Sequence, residues 1–220
     1  MGVLADGDVV VRPIRVRDAP ALERELAINR RWLRQWEATV PGGGGPIDVR
    51  SGIRALLRHS RTGASLPFAL EVDGGVAGQL NVSSIAAGSR SSATIGYWVA
   101  ERFAGRGATT SGVALVSDLL FVGMGVHRVE ICIRPENAPS RRIVEKLGFR
   151  YEGLRRRYIH IDGDWRDHFT WALTVEDVPF GVLRRFKDGQ VHPSFARVND
   201  EDWAAAGLPT RPPAGAPSAL

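Results

Sequence analysis

Between Pro67 and Val122, three strand-like runs separated by tight turns lead through a glycine-rich turn into a helix-spaced segment. Pro67 to Val72 reads as a strand, Asp73-Gly74-Gly75 as a hairpin turn, and Val76 to Ile85 as the returning strand. Gly88 to Ser92 is a second turn, and Thr94-Ile95-Gly96-Tyr97-Trp98-Val99 a third strand. Gly105-Arg106-Gly107 then precedes Thr109 to Val122, where Val113, Val116, Leu119 and Leu120 recur at helical spacing. Short hairpins make neighbouring strands antiparallel, and a helix after the third strand carries the chain away from the meander. The segment therefore points to a mixed α/β sheet.

The flanks extend the pattern. Val9-Val10-Val11 is a short strand that Pro13 ends. Asp18 offers an N-cap for a helix over about Ala19 to Arg30, which Arg30 to Glu37 continues or turns away from. Pro41 to Pro46 is a flexible loop, and Asp48 caps a second helix to about Ser60. Arg128 to Ile133 alternates like a half-buried strand, and Asn137 to Leu147 is a helix ended by Gly148. Tyr158 to Ile161 and Phe169 to Val175 flank the turn at Asp162-Gly163-Asp164. The order is β-α-α-β-β-β-α-β-α-β-β, a central sheet of about seven strands with about four helices. Residues 1–178 are expected to form one domain. Residues 179–220 read as an extension, with Arg211 to Leu220 disordered.

Composition excludes several classes. Apolar residues make up 44% of 220, enough for a core. No run approaches the roughly 20 apolar residues of a membrane span, and no basic-then-apolar leader opens the chain. Cys132 is the single cysteine, which rules out an internal disulfide and argues against a Cys-rich metal site. A cytoplasmic protein without metal or membrane partner is expected. The net charge of +5 would suit nucleic acid, but lysine occurs only at 146 and 187. The basic excess is thus arginine at ordinary surface positions, as in a GC-rich genome. With no aromatic-basic RNA motif present, direct nucleic-acid binding is not expected.

The chemistry concentrates in two places. Glycines at 105 and 107 let successive backbone N–H groups converge, and a helix N-terminus adds its own free N–H groups and partial positive charge. Together they suit a pyrophosphate; alone, the turn is equally an ordinary strand-to-helix junction. No Gly-Lys-Ser/Thr follows, so this is not a Walker A loop, and the third glycine of a dinucleotide fingerprint is missing. Thirty residues on, Asn137-Ala138-Pro139-Ser140 opens the next helix and Lys146-Leu147-Gly148-Phe149 closes it. Asn137 alone reads as an N-cap and Ser140 as a solvated first-turn residue.

Taken together, these residues resemble the GNAT acetyltransferases, and within them the RimJ/RimL type, most of all its actinobacterial members. The family's pyrophosphate motif, Gln/Arg-x-x-Gly-x-Gly/Ala, aligns with Gly107 as its first glycine. Ala104 then replaces Gln/Arg, and Thr109 replaces Gly/Ala. Arg102-x-x-Gly105-x-Gly107 matches literally but shifts the helix by two residues. Gly96 to Val99 resembles the family's splayed strand, and Asn137-x-x-Ser140 with the Gly-Phe end resembles its following helix. Tyr151 to Arg155 and Asp162 to Asp167 are similar to the C-terminal strands, and Leu33 to Glu37 to a segment beside the acceptor cleft. The resemblance covers about residues 9 to 178.

It implies an N-acetyltransferase using acetyl-CoA in direct attack by a neutral amine. The backbone of Gly105, Arg106, Gly107, Ala108, Thr109 and Thr110 would hold the pyrophosphate, and that of Trp98, Val99 and Ala100 the pantetheine. Asn137 would bond the pantetheine arm and Ser140 protonate the leaving thiolate. Glu37 or His160 is the candidate base, unless water serves; His160 is equally a surface strand residue. Trp32 and Trp36 frame an acceptor pocket with Glu37, or else pack as a helix face. Lacking an obvious dedicated base, the site favours an α-amine (pKa about 7.8) over a lysine (about 10.4), a gap of about 3.5 kcal/mol. The expected acceptor is a protein N-terminus, as for ribosomal-protein-alanine acetyltransferases. A small-molecule amine or a lysine, with succinyl-CoA as another donor, is the alternative, as is a non-catalytic acyl-CoA-binding module. A homodimer is left open.

Overall fold

The structure is a computed structural model that describes residues 2–43 and 48–209. Strands β1 (Leu4–Asp6) and β2 (Val9–Pro13) form an N-terminal hairpin. Helices α1 (Ala19–Ile28), α2 (Arg30–Leu33) and α3 (Val49–Arg61) follow. The meander is β3 (Leu66–Val72), β4 (Gly75–Ala86) and β5 (Ser92–Val99). Next come α4 (Ala108–Asp118), β6 (Arg128–Ile133), α5 (Ala138–Leu147), β7 (Arg150–Ile161) and β8 (Asp164–Thr174). Helices α6 (Val182–Lys187) and α7 (Asp200–Ala205) end the described chain.

One sheet runs in the order β1-β2-β3-β4-β5-β6-β8-β7, with β5 and β6 the parallel pair and all other neighbours antiparallel. The main core joins the sheet to α4, α5 and the C-terminal segment, through residues such as Leu80, Val116, Val144, Phe169 and Trp171. On the opposite face, Leu22 of α1 and Ile53 of α3 pack with Ile14 and Ala69.

The sheet has eight strands where about seven are expected, because the three-residue β1 is too short to show a period. The described residues hold seven α-helices where about four are expected, and the surplus ones are only four to six residues long. Local signals did specify local turns. Asp73 (φ 52°) and Gly74 (φ 76°) form the two-residue turn with both φ positive that matches strand twist. Asp48 caps α3 by accepting from the Ser51 N–H at 3.1 Å. Asp18 occupies the N-cap of α1 but makes no capping bond. Its carboxylate instead accepts from the Arg15 N–H and from Arg12, which also binds Glu71. Tyr158 to Ile161 proves to be the end of the twelve-residue β7, and β8 begins at Asp164.

After Pro179, where no period is legible, the chain still packs on the core. Val182, Ala196 and Val198 are buried, and the fully buried Trp171 donates its indole N–H to the Ala196 carbonyl at 3.0 Å. Asp118 caps α6, accepting from Val182 N–H at 2.6 Å and Leu183 N–H at 3.1 Å. The expected disorder of Arg211 to Leu220, and residues 44–46 of the expected loop, lie outside the described residues.

Gly78 faces Val99 across β4 and β5, where a Cβ would lie 2.9 Å from Val99 Cα and still closer to the Trp98 carbonyl oxygen. Backbone atoms cannot yield as a flexible side chain does. Gly78→Ala, a change that elsewhere stabilises through the unfolded state, should here cost about 1–3 kcal/mol, as overpacking does. A fall in the denaturation midpoint at unchanged slope is the expected result.

Candidate active site

β5 and β6 pair only over Ser92–Thr94 with Arg128–Glu130. Beyond Thr94, β5 keeps its β4 partners alone, and beyond Glu130, β6 keeps its β8 partners alone. The gap opens onto two adjoining cavities. One, of about 250 Å³, is lined by Trp98, Val99, Gly105, Gly107, Thr109, Thr110 and Lys146, among others. The other, of about 330 Å³, includes Glu37, Asn81, Cys132, Arg134, Ile159, Ile161 and His168. Leu33, Trp36, Tyr97, Trp98, Asn137 and Ser140 line both, so the two spaces meet there.

At the far end of the smaller cavity, Gly105 (φ 77°) and Gly107 (φ 84°) take left-handed conformations, and Gly107 is the N-cap of α4. The first helical bond runs from Ser111 N–H to Gly107 O at 3.0 Å. No backbone N–H from Gly105 to Thr110 has an acceptor within the described chain. Six consecutive unpaired amides at a helix N-terminus form an anion cradle. The Arg106 side chain turns away from it to Asp73, at 3.0 Å. The cradle is anchored from α1. Asn29, 5% exposed, accepts the Glu101 N–H at 2.8 Å while its own amide donates to Glu25 O at 2.8 Å. The buried Glu25 carboxylate binds the Arg102 guanidinium with both oxygens. The Arg102 of the literal motif is therefore committed to α1.

At the junction, Asn137 caps α5, accepting from Ser140 N–H at 3.1 Å, and so turns the first helical turn toward both cavities. Ser140 Oγ lies 2.8 Å from Tyr97 Oη. Burial raises the Tyr97 phenol pKa far above its usual 10, so the phenol keeps its proton. Nothing in the sequence sets Tyr97 apart from its strand neighbours; strand alternation puts its side chain opposite to that of Trp98. Ala100 is buried and its N–H is bonded to Ala77 O at 2.8 Å, so that amide is not available to a ligand.

The larger cavity brings Trp36 and Glu37 together but not His160. Arg134 lies over the Trp36 ring at 5.4 Å and donates to Gln35 O at 2.7 Å, and Glu37 pairs with Arg30 at 2.7 Å. Since α2 ends at Leu33, Trp32 and Trp36 are not a helix face; each lines a cavity. Ala38 bridges to Ile161 and Thr39 N–H bonds to His160 O, which holds this segment on the β7 edge. On β7 it is Ile159 and Ile161 that face the cavity. His160, one residue out of step, sits against Trp165 and 2.8 Å from Thr39 Oγ1. The imidazole that does line the cavity is His168 on β8.

The family model for an acetyltransferase (GNAT) domain matches residues 8–150. The chain belongs to the GNAT acetyltransferase family. It is similar to the probable N-acetyltransferase YjcK of Bacillus subtilis, 35% identical over 77% of this chain and 95% of that protein. It is 29% identical to the [ribosomal protein uS5]-alanine N-acetyltransferase of Escherichia coli, over 77% of this chain and 89% of that one. Among solved structures, Mycobacterium smegmatis RimJ in complex with CoA-disulfide superposes with a TM-score of 0.79 at 37% identity, over 86% of this chain and 93% of that one.

The Tyr97–Ser140 pair stands where the two cavities join. The nearby Cys132 thiol is pushed up by burial and is a poor nucleophile. Asn29→Ala should strand the Glu101 N–H, costing about 1–3 kcal/mol of stability. The sharper expectation is local: amide exchange should quicken at Glu101 and through the cradle while the sheet keeps its protection.

Proposed function

We propose that this acetyltransferase moves the acetyl group of acetyl-CoA onto the N-terminal α-amine of a protein, ribosomal proteins being the class that similar enzymes are named for. The observation that carries the reading is the pair of cavities meeting at Tyr97, Asn137 and Ser140. A pantetheine chain can enter from one side and an extended peptide end from the other.

The cradle fits the donor. Unpaired amides from Gly105 to Thr110 would take the pyrophosphate, with exposed Lys146 adding a mobile cation. Trp98 and Val99 would flank the pantetheine where β5 has lost its second neighbour, and Asn137 would bond the same arm. Ser140, hydrogen-bonded to Tyr97, would supply a proton to the departing sulfur. Trp36 and Glu37 would receive the acceptor.

Two measurements test this. Isothermal titration should show acetyl-CoA binding, and Lys146→Ala should weaken it about tenfold and flatten its salt dependence, as loss of one phosphate contact does. Peptides with free N-termini should be acetylated on the α-amine, with N-terminally blocked, lysine-bearing peptides left unmodified. Binding without any peptide acetylation would overturn the acceptor assignment. No binding of any CoA species by folded protein would overturn the whole reading.

A further inference from the structure

His168 lies on the cavity side of β8 and is only 3% exposed. Its Nδ1 is 3.0 Å from the Arg166 carbonyl oxygen. A carbonyl can only accept, so Nδ1 carries the proton and the neutral ring holds its lone pair on Nε2. Within the described residues no group donates to that nitrogen. In the same cavity Asn81 Oδ1 is buried without a partner. Two unpaired acceptors in one polar-ended pocket suit a primary ammonium, which has three N–H donors and nothing to accept with.

We propose that His168 is the general base of the transfer, its Nε2 taking a proton from the acceptor's bound ammonium. The inference rests on the acceptor reading above. The proton count closes. R–NH3+ gives one proton to Nε2, and the nitrogen lone pair so freed forms the N–C bond as the C–S bond breaks. The second proton leaves the nitrogen and ends on the CoA thiol by way of Ser140, and His168 returns the first to solvent. Neither earlier candidate is as well placed: His160 faces away, and Glu37 is already paired with Arg30.

The surroundings favour a neutral ring. Burial lowers the imidazole pKa below its usual 6.5, and the Arg134 cation adds to this. The Arg166 carbonyl, Glu136 and Asp167 oppose the shift. Arg155 is the cross-strand partner of His168 and is itself bound to Glu130, while the Tyr158 ring stands edge-on at 5.9 Å. A base below 6.5 stays unprotonated at pH 7; taking a proton from an α-ammonium of pKa about 7.8 is mildly uphill, and N–C bond formation, which consumes the freed lone pair, draws the transfer forward.

The test is the pH profile of kcat/KM for wild type and His168→Gln on a peptide acceptor, with acetyl-CoA affinity measured alongside. Wild type should keep its activity down to a limb below about pH 6.5, the imidazole value. In the variant the acceptor must be neutral on arrival, so the limb should move to the α-amine value of about 7.8. At pH 7, where about one-seventh of an α-amine of pKa about 7.8 is neutral, the loss should be about sevenfold, and it should vanish in alkali. An equal loss at every pH, or no loss, would overturn the proposal, since a structural role moves no limb. Should the variant fail to bind acetyl-CoA, imidazole NMR of the wild type decides instead. A bare Nε2 that titrates with the kinetic limb and responds to an amine-bearing peptide supports the assignment; a protonated or unresponsive Nε2 defeats it. If the wild type binds acetyl-CoA but acetylates no peptide, the acceptor reading falls, and with it this role.

Discussion

The parting of β5 from β6 leaves backbone N–H and C=O groups on two strand edges inside the molecule, and such groups must find partners. Within the sheet they have none past Thr94 and Glu130. Tyr97 reaches across to Ser140 at the start of α5, and Arg134 reaches over Trp36 toward the segment after α2. A ligand with its own amides can replace the missing strand, which is how a sheet defect becomes a binding slot. Gly78 belongs to the same device: β5 is pressed so closely on β4 at Trp98 and Val99 that only a hydrogen fits between.

Around this slot the fold commits its buried polar groups to holding elements in place. Asn29 and Glu25 fasten the cradle to α1, and Asp118 fastens α6 to the end of α4. Trp171 depends on the C-terminal segment for the acceptor of its indole N–H. Without Ala196 the largest side chain of the core would carry an unsatisfied donor, at a cost of about 1–3 kcal/mol. Residues 182–198 thus complete the same core that the sheet and α5 begin.

What the sequence made legible was whatever is decided locally. Asp73-Gly74, Gly105, Gly107, Asn137 and Gly148 each act within a turn or a cap, and each stands where residue type alone would put it. Side-chain direction along β7 and β8 depends instead on register, which a bulge between Arg155 and Ile159 disturbs and which no single residue announces. A strand starting at Phe169 leaves His168 outside the sheet, whereas β8 in fact starts at Asp164 and includes it; His160 lies on β7 but one residue out of step with the cavity. The helices α6 and α7 were invisible for another reason: six residues give fewer than two turns, too few for an apolar period to show.

The residues at the junction also bear on whether an acyl-enzyme forms. A two-step route needs a nucleophile that loses its proton readily. Cys132 lines the acceptor-side cavity, but burial holds its thiol protonated beyond the usual range. Ser140 is hydrogen-bonded to Tyr97, a phenol that keeps its proton and so cannot act as base toward the hydroxyl. Neither group is activated, whereas both cavities open on the same junction. A single displacement with both substrates present asks nothing more of the protein than alignment, a base on the acceptor side and a proton for sulfur.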